Sequence, residues 1–590
     1  MRKSLLASTI PATLARNVGI GVMVVISVAA LWLVSASALW SKGTETPFGF
    51  FAWIDASMWW GSNWWVNLWL VLAAVVPTIF LAMPLFWMLR VLCPRWRGRR
   101  RLVQPSGGGV RAVERGLTDN LGHAAWATRK QLDRRFSGPG CLIGAADRGG
   151  RLLYDDLSKG PTHSMIFASP GSHKTASAVS RIWTWQGPRV VFDPSCEIGP
   201  IMAGALAARG FKVTIIGLNG QGIDVVDWID IRHPEADAHI RSVVDWIYNE
   251  SATTPNGHGQ HRDPFWPTWG RALVTCLAAH MRYTEQSDFR KTLAALRRGI
   301  ATPEAHMQDM LAYIHANSAS RMASELSGGL MGMKAAQTFS GIYGNAFAAT
   351  EWLSVDAYAD VVSGSAMRTS DILDSNTVVF IQLPLRTLLA TPAVSRAVMG
   401  ALFNAMFHAD AVGIEDRILF QIDEAWILGA MKEIKLCHTT ARKYRGTIST
   451  IWQSEGQMEG VWGQDDAKLM HDTVSWRSYN AIQDGTVAER LSRDIGEHAV
   501  LATSEGDNQG RQKPFGLRLP SSSKGTNVNV HEIKRRLIKG DEIMRAPADE
   551  MFVLARDFPH PIRCVSAPYF RYPDIARVMG ASRFDTTAAA

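Results

Sequence analysis

The sequence has 590 residues, which is long enough for two to four domains, each with its own hydrophobic core. Its formal net charge of +9 is moderate for this length, so the composition is compatible with a nucleic-acid partner without requiring one. The six cysteines are scattered without a Cys-x-x-Cys pair, which argues against a disulfide framework or a cysteine-rich zinc site and favours a reducing compartment.

Two long apolar runs lie near the N-terminus, over residues 18–40 and 64–87, and neither contains a charged side chain. Each run is long enough to cross a hydrocarbon core of ~30 Å as a helix. A cleaved signal peptide is the alternative for the first run, because residues 35–38, Ser-Ala-Ser-Ala, resemble a cleavage site. The second run follows closely, so we predict a membrane anchor over residues 1–101 with two transmembrane helices.

The charges beside these runs predict their orientation. Lysine and arginine residues precede the first run and follow the second, whereas the loop between them carries only Lys42 against Glu45 and Asp55. Because positively charged flanks stay on the cytoplasmic side, both termini and the main domain are predicted to be cytoplasmic. The basic residues of 95–101 fit a stop-transfer anchor better than a DNA contact.

A phosphate-binding loop is predicted after a polar, Gly-rich linker at 102–120. An apolar strand at 165–167 runs into this loop, and a helix-compatible stretch follows it at 176–183. Strand, loop and helix in this order form a Walker A context, in which backbone N–H groups and the helix N-terminus hold the phosphates of ATP. The predicted nucleotide-binding residues are Ser169, Pro170, Gly171, Ser172, His173, Lys174 and Thr175.

Two side chains of this loop have specific predicted roles. Lys174 reaches the β and γ phosphate oxygens, and the Thr175 hydroxyl binds Mg²⁺. Ala168 and His173, however, occupy positions where the Walker A pattern has glycine. The glycine before the lysine normally permits backbone angles and a close phosphate approach that a side chain resists. The loop therefore supports nucleotide binding better than it supports hydrolysis.

A second motif follows far along the chain, where the apolar strand at 417–422 ends in Asp423 and Glu424 as a Walker B strand does. Asp423 is predicted to hold Mg²⁺ through water, and Glu424 to polarise the attacking water. Gln453, a candidate sensor of the γ-phosphate, and Asp193 follow two further apolar strands. Because the carboxyl ends of parallel strands meet at the ligand-binding edge of an α/β sheet, these side chains predict one site.

Strand signals fade between about 240 and 365, where helical spacing dominates. Lys174 and Asp423 lie too far apart for one compact series of strands and helices, so a helical insertion between them is the simplest explanation. The predicted divisions after the anchor are 102–240 and 366–577 for the two parts of the nucleotide-binding domain, 241–365 for an inserted all-α domain, and 578–590 for a tail.

Charged and polar segments outside these motifs allow two interpretations each. Arg442 and Arg445 precede the strand at 446–452, and in a ring ATPase an arginine of the adjacent subunit often stabilises the transferring γ-phosphate. Surface charges near a turn are the alternative. Residues 504–530 are rich in Ser, Gly, Asn and Lys and predict a mobile loop.

Four basic residues of the helical insertion are interpreted as a solvated face, with contact to DNA or a partner as the alternative. These residues are Arg290, Lys291, Arg297 and Arg298.

Taken in order, several segments resemble the type IV coupling proteins, the TraG/VirD family of conjugation and type IV secretion systems, and in particular its TraG branch. His173 departs from the glycine usual in that family. The segments that carry the resemblance are 122–127 (Gly-His-Ala-Ala-Trp-Ala), 190–197 (Val-Val-Phe-Asp-Pro-Ser-Cys-Glu), 265–273, 422–425 (Ile-Asp-Glu-Ala), 488–498 and 537–563.

The resemblance implies an α/β fold in which two N-terminal transmembrane helices precede a RecA-like P-loop nucleotide-binding domain with an inserted all-α domain. It implies a homo-hexameric ring on the bacterial inner membrane that uses ATP and Mg²⁺. The expected function is that of a coupling ATPase, which recruits single-stranded DNA with its relaxase and relaxosome proteins to a type IV secretion channel and drives DNA transfer.

Two other functions remain open on the sequence. A substrate receptor for the same channel, binding nucleotide with little or no hydrolysis, is kept open by His173. A membrane-anchored double-strand DNA translocase of the chromosome-partitioning type leads one to expect more membrane spans and a C-terminal winged helix, and neither is visible in the sequence.

Overall fold

The computed structural model describes residues 29–42, 64–65, 67–68, 71–76, 122–159, 162–219, 221–248, 265–285, 290–333, 335–408, 416–511 and 522–580. The chain divides into two compact units, Met1–Ala112 and Val113–Ala590.

The first unit is described only in part. Residues 29–42 and 71–76 are helical and lie in or beside the two predicted membrane spans. Within the described stretches, no helix combines the length and the apolar character that crossing a bilayer requires. Large parts of both spans, 18–40 and 64–87, fall outside the described residues, so the two transmembrane helices stay a prediction.

Eleven strands of the second unit form one sheet, in the spatial order β2-β1-β13-β12-β9-β3-β8-β7-β4-β6-β5, and β10 and β11 form a separate two-stranded sheet. The strands are β1 (Gly140–Ala145), β2 (Leu152–Asp156), β3 (Ser164–Ala168), β4 (Arg189–Phe192), β5 (Lys212–Gly217), β6 (Thr377–Gln382), β7 (Ile418–Ile422), β8 (Gly446–Trp452), β9 (Trp476–Asn480), β10 (Glu497–Arg511), β11 (Ser522–Arg536), β12 (Glu550–Ala555) and β13 (Ile562–Val565).

The strands from β9 to β5 are all parallel, and the β12, β13, β1 and β2 strands extend the sheet in antiparallel pairing. Parallel strands are covered on both faces, so they are apolar along their whole length rather than alternating. Within β3, Met165 and Phe167 belong to one buried cluster, and Ile166 and Ala168 belong to another. The two clusters are the cores on opposite faces of the sheet.

Helices connect the parallel strands, because each such connection must cross from one end of the sheet to the other. The helices of the second unit are α1 (Arg129–Arg135), α2 (Lys174–Thr184), α3 (Ile198–Ala208), α4 (Ala236–Tyr248), α5 (Phe265–Tyr283), α6 (Leu293–Ile300), α7 (Glu304–Asn317), α8 (Arg321–Met331), α9 (Ala336–Thr350), α10 (Asp356–Ser363), α11 (Leu385–Ala390), α12 (Pro392–His408), α13 (Lys432–Thr440), α14 (Glu455–Thr473), α15 (Gly485–Ile495), α16 (Gly540–Met544) and α17 (Pro573–Ala576).

The connection from β5 to β6 is long and helical, running through α4 to α10. Side chains define where its helices begin, since Thr292 caps α6 and Ser320 caps α8 by accepting a backbone hydrogen bond. This helical region covers the segment in which the inserted domain is predicted; its boundaries at 241 and 365 stay a prediction.

The interpretation of the insertion's basic residues as a solvated face is wrong for Arg297. Its side chain is buried and donates to Ser354, to Thr350 and to the carbonyl oxygen of Phe347. Lys291 donates to two backbone carbonyl oxygens at the end of α5. Burying a cation such as Arg297 requires this degree of hydrogen bonding. Arg297 and the partly buried Lys291 both hold helices together.

The prediction of a mobile loop at 504–530 is also wrong for much of its length. β10 and β11 pair antiparallel from Glu497 with Arg536 to Arg511 with Ser522. A hairpin satisfies its backbone through cross-strand bonds, so a polar composition does not prevent its formation. Composition alone does not reveal this pairing.

Candidate functional site

The predicted phosphate-binding loop connects β3 to α2. Its start is held by a hydrogen bond from the Ser169 N–H to the carbonyl oxygen of Asn480, at 3.4 Å, at the end of the neighbouring strand β9. The Ser172 hydroxyl closes the loop by donating to the Ser169 carbonyl oxygen at 2.7 Å. Helix α2 then begins at Lys174, and the first N–H groups of a helix are donors well suited to an anion.

His173 adopts the left-handed conformation that the glycine of a Walker A loop provides, with φ 60° and ψ 30°. The loop therefore keeps the glycine-like backbone in spite of the side chain, at a cost of about 1–2 kcal/mol. The imidazole packs edge to face on the ring of Phe570, with centroids 5.4 Å apart. Phe570 lies in a short 3-10 turn, Tyr569–Arg571, and is half-exposed.

Asp423 follows β7 and is buried, with 2% of its surface exposed. Its Oδ2 accepts from the Thr175 hydroxyl at 3.3 Å, and its Oδ1 has no hydrogen-bond partner among the described residues. Burial raises the pKa of Asp423 to about 7, with Lys174 opposing the rise and the carboxylates of Glu424 and Asp193 adding to it. A buried carboxylate oxygen without a partner is costly unless a cation or water occupies its free side.

The pair formed by Asp423 and Thr175 fits Mg²⁺, because a hard cation takes carboxylate and hydroxyl oxygens as ligands. The unpartnered Oδ1 of Asp423 is the oxygen that such an ion would satisfy. Asp193 is not available in the same way. Its two oxygens accept from Ser195, from Gln382 and from the N–H groups of Ile198 and Gly199, so it caps α3 instead.

Through its carboxylate, Glu424 contacts side chains from three different elements. Its carboxylate forms an ion pair with Lys174 and accepts from the side-chain amide of Gln453 at 3.2 Å and from the indole N–H of Trp426 at 3.0 Å. Its backbone is left-handed, with φ 53° and ψ 57°. Strain of this kind is stored where the surrounding structure fixes a functional side chain. Lys174, Thr175, Asp423, Glu424 and Gln453 thus lie together at the carboxyl edge of the sheet.

The two candidate arginine fingers do not join this group. Arg442 and Arg445 are exposed and precede β8, whereas Gln453 follows it. At about 3.3 Å per residue, the strand separates them from Gln453 by roughly 25 Å. The chain therefore places these arginines at the opposite edge of the sheet from its own predicted site.

Sequence reasoning missed two side chains of this region. Trp426 is two positions after Glu424, and its indole N–H donates to the Glu424 carboxylate. A tryptophan directly after the acidic pair Asp423 and Glu424 was a local sign of such a donor. Phe570 is remote in the sequence from the loop that it contacts. No local pattern indicates such a contact, because only the folded sheet brings β13 and its following turn near β3.

Comparison with known protein sequences gives three findings. A family model described as Type IV secretory system Conjugative DNA transfer matches residues 117–590. The conjugal transfer protein TraG of Rhizobium radiobacter is 31% identical over 487 residues, which cover 81% of this chain and 72% of the relative. The type IV secretion system-coupling protein VirD4 of Bartonella henselae is 31% identical over 517 residues, which cover 82% of this chain and 78% of the relative.

Among solved structures, the plasmid coupling protein TrwB in complex with ADP and Mg²⁺ matches with a TM-score of 0.55 at 14% identity, over 78% of this chain and 96% of that chain. At this identity the similarity concerns the fold, which is the RecA-like α/β fold of coupling proteins. The family match covers the sheet, the predicted loop and the acidic pair. The chain therefore belongs to the type IV coupling proteins, the TraG/VirD family of conjugative DNA transfer.

Proposed function

We propose that the chain is an ATP-hydrolysing coupling protein that recruits a relaxase–DNA complex to a type IV secretion channel and drives transfer of the single strand. One observation carries this proposal: the carboxylate of Glu424 is held by three donors beside a phosphate-binding loop and an acidic cation site. An acidic side chain in a surface turn does not require three fixed hydrogen-bond donors. A carboxylate that acts on a water molecule beside a phosphate does require them, because its orientation must be fixed.

Nucleotide binding begins with exchange of the partner of Lys174. In the described state its ammonium pairs with Glu424. The phosphates of ATP carry more negative charge than one carboxylate, so they draw Lys174 toward the β and γ oxygens, while the N–H groups at the start of α2 hold the chain of phosphates. Asp423 and Thr175 would hold Mg²⁺, which would supply positive charge to the phosphate oxygens.

Glu424 is then free to act as a base. Gln453 and Trp426 still hold its carboxylate, which fixes its direction after Lys174 has left. The carboxylate orients a water molecule toward the γ phosphorus and accepts the proton that this water loses when the P–O bond to ADP breaks. Positioned proton transfer of this kind contributes about 10²–10⁴-fold to a rate.

The setting of this activity comes from the sequence and the family. We place the chain on the bacterial inner membrane through two spans at 18–40 and 64–87, with both termini and the main domain cytoplasmic. The partners are single-stranded DNA with its relaxosome proteins, the channel components and further copies of the chain in a hexameric ring. Family membership and the basic flanks of the apolar runs support these assignments.

A nucleotide-binding substrate receptor without turnover is the second candidate, and two observations favour it. His173 keeps a side chain where close phosphate approach normally requires glycine. In addition, Lys174 and Glu424 form an ion pair with each other, and a nucleotide must break this pair before either group can act.

ATP hydrolysis by the full-length chain, with and without single-stranded DNA, separates the two candidates. Lys174→Ala and Glu424→Gln are each expected to lower kcat at least about 10²-fold, because each removes a group that acts on the transferring phosphate. Glu424→Gln should still bind a fluorescent ADP analogue, since its shape is kept.

Lys468→Ala and Glu325→Gln are matched controls, because both residues lie in exposed ion pairs on other helices. Both controls should hydrolyse ATP at the native rate. If the native chain shows no more turnover than Lys174→Ala while it binds the ADP analogue, the receptor is the correct assignment and the motor is not.

A further inference from the structure

A cluster of imidazole rings lies where the chain passes from β5 into the helical region. His233 and Glu235 immediately precede α4, His239 lies in the first half of α4, and His408 ends α12. One ligand atom each from His233, Glu235 and His239 lie within 4.8 Å of one another. The His408 ring centroid is 4.0 Å from that of His239 and 5.8 Å from that of His233. The ligand atoms of three side chains thus converge, and the ring of His408 packs beside them.

His239 is the member whose environment is unexplained without a ligand. Its ring is buried, with 7% of its surface exposed, and neither ring nitrogen has a hydrogen-bond partner among the described residues. Oε2 of Glu235 lies 3.8 Å from Nε2, beyond hydrogen-bond distance. Burying an imidazole with two unpartnered nitrogens is unfavourable. A cation between His239, Glu235 and His233 would supply the missing partner.

We propose that His233, Glu235 and His239 form a binding site for a divalent transition metal of the zinc type, with His408 as the fourth ligand. Imidazole nitrogen and carboxylate oxygen are ligands that Zn²⁺ takes in tetrahedral sites. A metal binds the neutral imidazole through the lone pair of a ring nitrogen, and neither ring nitrogen of His239 is engaged by a hydrogen bond among the described residues.

Small movements of the exposed members complete the site. Bonds of 2.0–2.1 Å in a tetrahedron bring ligand atoms to about 3.4 Å from one another, which is closer than their present spread. His233 and Glu235 are exposed and are free to close this gap, whereas His239 is fixed by its burial. His233 Nδ1 now accepts from the N–H of Glu235 at 3.1 Å. Binding releases this hydrogen bond, because the nitrogen that does not ligate must carry a proton.

Such a metal would join the segment before α4 to the end of α12. The segment before α4 begins the helical connection that follows β5, whereas α12 comes after β6 and belongs to the connection between the sheet strands β6 and β7. The ion would therefore stabilise the connection between the helical region and the nucleotide-binding sheet, and it acts on structure rather than on the phosphate chemistry. This inference does not depend on whether the chain hydrolyses ATP.

Zn²⁺ titration of the full-length chain, freed of metal by a chelator, tests the site against a competing chromophoric indicator. The native chain is expected to bind Zn²⁺ more tightly than His233→Ala and Glu235→Gln by at least about tenfold. Both residues are exposed, so their substitution leaves the core intact. His306→Ala, an exposed histidine on α7, is the matched control and should bind as the native chain does.

Two measurements keep a structural effect distinct from ligation. Co²⁺ in place of Zn²⁺ should give the visible absorption of a tetrahedral site in the native chain and lose it in His233→Ala. Zn²⁺ should also raise the Tm of the native chain and of His306→Ala, and not that of His233→Ala. Equal Zn²⁺ affinity in the native chain and His233→Ala, or no uptake by the native chain, would overturn the proposal and leave the rings as a packed cluster.

Discussion

Two residues of the candidate site, His173 and Glu424, hold left-handed backbones although both carry side chains. Each conformation costs free energy that packing must offset, and in each case the strained residue directs a functional group. His173 ends the loop so that α2 begins at Lys174, and Glu424 turns its carboxylate toward Lys174 and Gln453. The departure at His173 therefore changes the side chain beside the phosphate path and leaves the course of the backbone unchanged.

Replacing His173 separates the effect of its backbone from that of its ring. His173→Gly removes both the ring and the strain, whereas His173→Ala removes the ring and keeps the strain. His173→Gly should be more stable than His173→Ala by about 1 kcal/mol, because only glycine adopts φ near 60° without cost. Its Tm should be correspondingly higher in a thermal unfolding scan of the full-length chain.

The same pair of variants tests the loop's effect on nucleotide. If the imidazole crowds the phosphate path, both variants bind the ADP analogue more tightly than the native chain, and His173→Gly has the higher ATP turnover. A lower Tm for His173→Gly than for His173→Ala would show that the described left-handed conformation is incorrect.

Among the secondary-structure elements, the turn that carries Phe570 is held in place by Asp549. This buried carboxylate, just before β12, accepts two hydrogen bonds from Arg148 at 2.8 Å and lies 2.9 Å from Arg571. Arg148 lies in the turn between β1 and β2, and Arg571 ends the 3-10 turn of Phe570. Asp549 thus connects three parts of the sheet's antiparallel edge and positions the ring that contacts His173.

Asp549→Asn should destabilise the chain by about 1–2 kcal/mol at neutral pH, because it removes the charge from hydrogen bonds made by arginine. The arginines hold the pKa of Asp549 below its usual value near 3.8 in the folded chain. Its contribution is therefore present above that value and is lost as the pH falls through the folded pKa. The Tm difference from the native chain should shrink toward zero in acid.

Asp147→Asn is the control for this series, because the Asp147–Arg129 pair is exposed on both sides and contributes little. Its Tm should match that of the native chain at every pH. A Tm difference for Asp549→Asn that stays constant from neutral pH into acid would mean that the charge of Asp549 is not what stabilises the turn.

For the molecule as a whole, the sheet lies between the charged residues of the predicted nucleotide site and the two candidate finger arginines, which a ring ATPase brings together. The phosphate-binding loop and acidic pair lie at the carboxyl edge, and Arg442 and Arg445 lie at the amino edge of the same chain. If Arg442 or Arg445 acts on phosphate, it does so from a neighbouring copy, whose amino edge would then face this chain's carboxyl edge. A head-to-tail contact of this kind repeats around a closed ring.

Mixed assemblies test this arrangement. The double variant Arg442→Ala/Arg445→Ala keeps an intact nucleotide loop, whereas Lys174→Ala keeps both arginines. Each should lose ATP turnover alone, by about 10³-fold or more if an arginine finger is removed. When the two variants are co-expressed and assemble at random, an intact loop meets an intact arginine at about one subunit contact in four. Turnover should therefore return to at most about a quarter of native.

Lys443→Ala is the matched control, since Lys443 is an exposed cation between the two arginines. It should retain native turnover. Failure of the mixture to exceed either parent, with both variants assembled, would exclude Arg442 and Arg445 as fingers supplied by a neighbour.

Much of the parallel sheet was predictable from the sequence, because strands buried on both faces are continuous apolar runs. The runs at β3, β4, β7 and β8 are recognisable in this way, and the polar residue after each predicts which edge carries a site. The geometry confirms that Lys174, Thr175, Asp423, Glu424 and Gln453 lie together. Their roles in binding and hydrolysis stay predictions, as do the membrane spans.

Other features depended on contacts between residues distant in the sequence. Much of the hairpin of β10 and β11 is polar, and its composition does not show which residues pair, so the cross-strand pairing defines it. Arg297 has the sequence context of a surface cation, yet three acceptors from α9 and its following turn bury it.

The sequence by itself determined the family, the nucleotide loop and the acidic pair, because these are short segments whose chemistry depends on neighbours along the chain. Only the tertiary structure decided that Gln453 holds Glu424, that Phe570 contacts His173, and that Gln382 donates to Asp193. It also decided that His408 lies against His239. The physical reason is that each of these contacts joins elements whose relative position is fixed by packing on the sheet, and packing of remote segments leaves no local pattern in a sequence.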